Sequence, residues 1–142
     1  MSDIVKTEAI VLSKLNYGDT SSIVTLYTES DGKLSAIIKG GRGPKSKSGK
    51  IIDPLNHLQV IFYKKNTRDV QILSDANLIS HFVNIKEDLD ATRFSFAILE
   101  LVKSLTVEHE ANAKLFKGLI KILNMINDRK EASAFLYGRF LL

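Results

Sequence analysis

The chain contains no cysteine. That absence excludes a disulfide framework, a thiolate nucleophile, an iron–sulfur centre and every Cys-based zinc site, and it is compatible with a reducing compartment. Also missing are any apolar run of about 18 residues and any N-terminal basic segment followed by an apolar one. The chain opens Met1-Ser2-Asp3-Ile4-Val5-Lys6, and the expectation is a soluble, cytoplasmic protein with no membrane segment. Catalytic signatures are missing too. Gly49-Lys50 is preceded five positions earlier by Pro44 and followed by Ile51, so the phosphate-loop pattern fails twice. Gly40-Gly41-Arg42-Gly43 does not make G-x-G-x-x-G and runs into proline rather than a helix. His57, His81 and His109 are too widely spaced for a metal motif, Ser46 and Ser48 have no general base beside them, and no G-x-S-x-G occurs. The reading is a binding module rather than an enzyme, with no cofactor required.

What is present suffices for a folded domain. The 142 residues are 44% hydrophobic, and 20 Lys+Arg against 16 Asp+Glu leave a net charge of +4. From Glu8 to Asp75 short β-branched runs alternate with turn residues. The runs are Glu8–Lys14, Ser21–Thr28, Lys33–Lys39, His57–Lys64 and Val70–Asp75. The breaks carry turn chemistry, such as Asn16-Tyr17-Gly18-Asp19 and Asn66-Thr67-Arg68-Asp69, and Asp31-Gly32 marks a hairpin. A flat five-stranded sheet would leave long unpaired edges, so closure into a small barrel of OB type is expected. In the fourth run Leu58, Val60 and Phe62 share one face and Gln59, Ile61 and Tyr63 the other. Alternation alone leaves open which face is inside.

From about Asn84 the period becomes helical. Phe94, Ala97, Ile98, Leu101, Val102 and Leu105 form an apolar stripe, with Asn84 and Glu87 in a capping arrangement at its start. A second helix over Asn112–Asn127 carries Phe116, Leu119, Ile120, Leu123 and Ile126 on one stripe. Leu115, Ile122 and Met125 widen that surface, so this helix needs covering on more than one side. A third helix is expected from near Glu131, carrying Phe135, Leu136, Phe140, Leu141 and Leu142. Its pattern stops without a polar C-cap, which points to the front part of a longer protein. The fold class expected is therefore β barrel plus α: a five-stranded OB-fold over residues 1–80, then a partial helical domain over 81–142.

Between Lys33 and Ile52 lie Lys33, Lys39, Arg42, Lys45, Lys47 and Lys50, and no acid. The Gly- and Ser-rich loop that carries most of them is expected to be flexible and able to track a polyanion. Lys64, Lys65 and Arg68 make a second cluster at the next turn. Clustered cations attract a phosphate backbone without regard to base identity. Tyr27 and Tyr63 lie on strands and are candidates for stacking on unstacked bases, each worth about 1–3 kcal/mol if it does. A merely solubilising loop would carry the same charge, so the pattern alone does not choose between the two.

Glu8-Ala9-Ile10-Val11-Leu12, Tyr17-Gly18-Asp19, Ser22–Thr28, Gly32-Lys33-Leu34-Ser35-Ala36 and Lys39-Gly40-Gly41-Arg42 resemble the N-terminal region of the bacterial RecO recombination-mediator family. Pro44-Lys45-Ser46, Leu73–Leu78, Glu87-Asp88-Leu89 and Leu99-Glu100-Leu101 fit as well. The resemblance implies an OB-fold domain followed by a helical domain. It also implies binding of single- and double-stranded DNA, annealing of complementary strands, and work with RecR, with the single-stranded-DNA-binding protein and in loading RecA. Docking of the single-stranded-DNA-binding protein is placed by the family in later helices, beyond this chain. Many members carry a Cys-based zinc element further along; this sequence has no cysteine. Lys39 and Arg42 match the family's Lys-Gly-x-Arg segment and Lys45 its Pro-Lys, whereas Lys47, Lys50, Lys64, Lys65 and Arg68 rest on charge and position. The runner-up reading is a protein-interaction adaptor whose basic loop binds an acidic tail; RNA binding by the same barrel is a third.

Overall fold

The computed structural model describes residues 3–128; the helix expected from Glu131 lies outside them. In chain order the elements are β1 (Asp3–Tyr17), β2 (Ser21–Thr28), β3 (Gly32–Ile38), α1 (Ser48–Ile51), β4 (His57–Lys64), β5 (Val70–Ser80), α2 (Val83–Lys86), α3 (Leu89–Leu105) and α4 (Ala113–Asp128). The strands close into a barrel in the order β1-β2-β3-β5-β4, with β3–β5 its parallel pair.

Strand β1 is twice as long as its apolar run because it is shared. Its first half pairs with β4, from Asp3 opposite Lys64 to Ile10 opposite His57, and its second half with β2, from Ala9 opposite Thr28 to Tyr17 opposite Ser21. The register shifts between Val11 and Ser13; an extra residue there bends the strand from one partner to the other. Ala9 and Val11 point inward with Val24, Leu26, Leu34, Ala36, Leu58, Val60 and Phe62. The face of β4 left open by alternation is thereby assigned: Leu58, Val60 and Phe62 line the interior. Ile10, Leu12 and Tyr27 point outward, yet they are buried too, in a second core with Phe94, Leu99, Phe116 and Leu123 of the helices. Both faces of β1 are covered, which accounts for the unbroken Ala9-Ile10-Val11-Leu12 run.

Two contacts lock the β2–β3 hairpin onto the helical unit. Lys33 Nζ donates to the carbonyls of Lys103 and Thr106, 2.7 Å each, satisfying acceptors that the end of α3 leaves open. Gly32 has φ +69°, and a Cβ there would lie 2.2 Å from the Glu110 carbonyl oxygen, so the close approach excludes any side chain.

The helical expectations need two corrections. Asp88, not Asn84, caps α3: its backbone is extended and its carboxylate accepts from the Ala91 amide at 3.0 Å. Asn84 lies inside α2 and is bonded to Asn127 near the end of α4. Second, α3 buries Ala91, Phe94, Ser95, Leu99 and Val102, while Leu101 is 53% and Leu105 78% exposed. The stripe is real, but the barrel and α4 cover only one flank of it. The other flank faces Leu115, Ile122 and Met125 of α4 across an apolar groove of about 400 Å³. Among the described residues no helix is long and apolar enough to cross a membrane.

Candidate nucleic-acid interface

The basic loop crosses the barrel end where β1 turns into β2. It is more ordered than its composition suggests. The amides of Gly41, Gly43 and Ser46 each donate back three residues, to Ile38, Gly40 and Gly43. Ser46 Oγ accepts from the Gly49 amide at 3.0 Å, and Lys14 Nζ donates to the Gly49 carbonyl at 3.1 Å. A Cβ at Gly49 would lie 1.8 Å from the Gly41 carbonyl oxygen, so α1 folds directly onto the loop. Successive tight turns, rather than flexibility, present the cations.

Arg42 is the staple of this arrangement. Its amide donates to Thr20 O at 2.8 Å, its Nε to Ser21 O at 3.0 Å, and its Nη2 to Gly18 O. Two of the guanidinium's five donors are thus spent on the β1–β2 turn, and its charge stays at the surface. Lys39, Lys45, Lys47 and Lys50 are all exposed, and none is in an ion pair among the described residues.

Lys64, Lys65 and Arg68 are not beside this loop. They sit at the β4–β5 turn, at the opposite end of the barrel: Lys64 pairs with Asp3 and lies 3.5 Å from the Asp31 carboxylate in the β2–β3 hairpin. Seven residue rises of β2 at about 3.3 Å each put roughly 23 Å between the two ends. Here the cations are partly engaged. Arg68 Nη2 donates to the Tyr63 carbonyl at 2.8 Å, and the buried Gln71 amide bonds Lys65 N, Lys65 O and Arg68 O, fixing the turn. The two clusters flank one surface, the outer face of β2–β3 with Ile23, Thr25, Ser35 and Ile37, because the β4–β5 turn leads into Val70 opposite Ser35.

The two tyrosines part ways. Tyr63 is 38% exposed on β4, next to the second cluster. Tyr27 is fully buried, its ring centroid 6.1 Å from that of Phe116, and burial pushes its phenol up from the ordinary value. The expectation that Tyr27 stacks on a base is corrected: α4 occupies the face a base would need.

Three contributors escape a reading by composition. Lys33 belongs to the basic run but is committed to the end of α3. Gln71 shapes the second cluster, and His109 joins it from the α3–α4 connection. His109 carries no local signal, since Glu108 and Glu110 flank it in sequence. The chain has no cysteine, and among the described residues no three His, Asp or Glu side chains group as metal ligands.

Fold and surface define a class: a closed five-stranded barrel with a helical unit docked on its outer face and cations at both barrel ends. A family profile described as recombination protein O, N terminal, matches residues 1–82. The chain is 37% identical over 139 residues to the DNA repair protein RecO of Chlorobium limicola, covering 98% of this chain and 53% of that relative. It is 38% identical over 124 residues to that of Salinibacter ruber, covering 87% and 48%, and 39% identical over 140 residues to that of Chlorobium luteolum, covering 98% and 53%. The chain belongs to the RecO family. It spans about half the length of these relatives.

Proposed function

We propose that this chain is a non-enzymatic, sequence-tolerant DNA-binding unit of recombinational DNA repair, built on an OB-fold. The observation that carries the proposal is the ordered loop with four exposed lysines, none ion-paired among the described residues, and no acid from Lys33 to Ile52. The strand order and the parallel β3–β5 pair support the OB reading. Kinship with proteins named for DNA repair supports the biological setting.

In this reading a single strand runs from the loop across β2–β3 to the β4–β5 turn. The roughly 23 Å path suits the short end of the 4–16 nucleotide range of OB-folds. Lysines on mobile stems neutralise phosphates, and condensed counterions are released, so affinity falls with salt. Screening two backbones at once lowers the repulsion between complementary strands. That is the physical basis for annealing and for engaging duplex as well as single-stranded DNA. RecR, and through it RecA loading, are proposed as the setting in which the full-length family member works.

The test is fluorescence-anisotropy titration with a labelled oligonucleotide at several salt concentrations. Changing Lys39, Lys45, Lys47 and Lys50 to Ala should weaken binding and flatten the log–log salt slope by about three units, at about 0.7 per single-strand phosphate. An unchanged slope would move the site off the loop.

The apolar groove between α3 and α4 favours protein contact as a second reading, since contiguous exposed apolar surface marks interaction sites. Displacement of the oligonucleotide by an acidic peptide, with the same dependence on the loop lysines, would favour it.

A further inference from the structure

A polar pocket of about 350 Å³ lies between the β4–β5 turn and the α3–α4 connection, lined by Lys64, Asn66, Arg68, Gln71 and His109. Four of these come from the barrel and one from the helical unit. Among the described residues no carboxylate lines it, and every side chain that does carries a nitrogen able to donate a hydrogen bond. Asp31 lies 3.5 Å from Lys64 Nζ and partly neutralises it, and Arg68 Nη2 donates to the Tyr63 carbonyl at 2.8 Å. Such lining recognises a small, multiply charged oxyanion by charge-assisted hydrogen bonds.

The position of His109 is built rather than accidental. Its backbone is left-handed, at φ +63°, a conformation uncommon for a residue with a side chain. Its amide donates to Lys33 O at 2.8 Å. Lys33 in turn holds the carbonyls at the end of α3, and Gly32 lets Glu110 approach. Opposite it, Gln71 is 2% exposed and spends its amide on the backbone of Lys65 and Arg68, which makes a fixed wall.

We propose that this pocket holds a phosphate group of the bound strand, with Lys64 and Arg68 supplying charge and His109 a ring nitrogen from the helical unit. This rests on the DNA-binding reading and deepens it. The second cluster is then a seat for one phosphate bridging two parts of the molecule, while the loop is a distributed electrostatic surface.

The test follows the imidazole resonances of the 142-residue chain by NMR during titration with a short oligonucleotide, with and without a 5′-phosphate, using His109→Asn to assign the signal. His109 should shift, while His57 and His81 stay in place. A shift with both oligonucleotides assigns an internal diester; a shift with the phosphorylated one alone assigns a strand end; either supports the proposal. Lys64→Gln and His109→Asn should each weaken binding several-fold, and Lys64→Gln should lower the salt slope by about 0.7. An unmoved His109 in a chain that binds DNA through its loop lysines would overturn the pocket and leave the DNA-binding reading standing. Absence of any oligonucleotide binding at low salt would overturn both.

Discussion

The barrel and the helical pair bury apolar residues to different ends. In the barrel, the inward side chains from Ala9 to Phe62 pack into one core, and closure gives each strand a neighbour on both sides. In the helical pair one flank is sealed against Ile10, Leu12 and Tyr27, and the other lies open as a groove with Leu101, Leu105 and Met125 exposed. A closed sheet satisfies itself. Two helices make a surface that the described residues cover only in part, and that surface is where stability and interaction come apart.

Four substitutions sharpen or break this contrast. Phe62→Ala opens a cavity in the closed core and should cost about 3–5 kcal/mol in denaturant unfolding; a loss near zero would mean the barrel interior is loosely filled. Lys33→Met removes the charged donor from the α3 carbonyls and should cost about 1–3 kcal/mol. Hydrogen exchange should then quicken at the His109 amide and leave β4 unaffected; uniform quickening would make the hairpin part of the barrel's own cooperative unit. Gly49→Ala forces a Cβ against Gly41 and should cost about 1–2 kcal/mol of the strain typical of overpacking, with faster exchange at Gly43 and Ser46. Leu105→Ser should stay within about 0.5 kcal/mol, as expected for an exposed site. If the groove joins copies of the chain, the same change should reduce self-association in sedimentation. A stability loss on the scale of Phe62→Ala would show that Leu105 is covered.

Much of the barrel was legible because strand residues report their surroundings locally. The runs Ser21–Thr28 and His57–Lys64 coincide with β2 and β4, since turn residues flank both. The run Glu8–Lys14 fell short of β1, because Asp3–Lys6 owe their extended form to pairing with β4 rather than to any pattern of their own. In the same way Ala76–Ser80 extend β5 through their partners in β4. The capping residue of α3 was misplaced for a related reason: Asn84 and Asp88 are both good caps, and only the break after α2 selects between them.

The candidate site divides along the same line. Lys39, Arg42, Lys45, Lys47 and Lys50 were visible as a charge run, because their neighbours in sequence are also their neighbours in space. Arg42 as a staple, Lys33 as a helix-end donor and Tyr27 as a core residue were not visible. Each depends on a partner 20 or more residues away: Gly18 lies 24 from Arg42, Lys103 lies 70 from Lys33, and Phe116 packs on Tyr27.

The amino-acid sequence by itself determined the closed barrel, the two amphipathic helices and the acid-free basic loop, because alternation, helical period and charge runs are short-range quantities. Only the tertiary structure decided which flank of each helix is covered, that the two basic clusters stand at opposite ends of the barrel, and that His109 lines one pocket with Lys64 and Arg68. Those outcomes depend on register and docking, which join residues far apart in the chain and leave no mark on the local pattern.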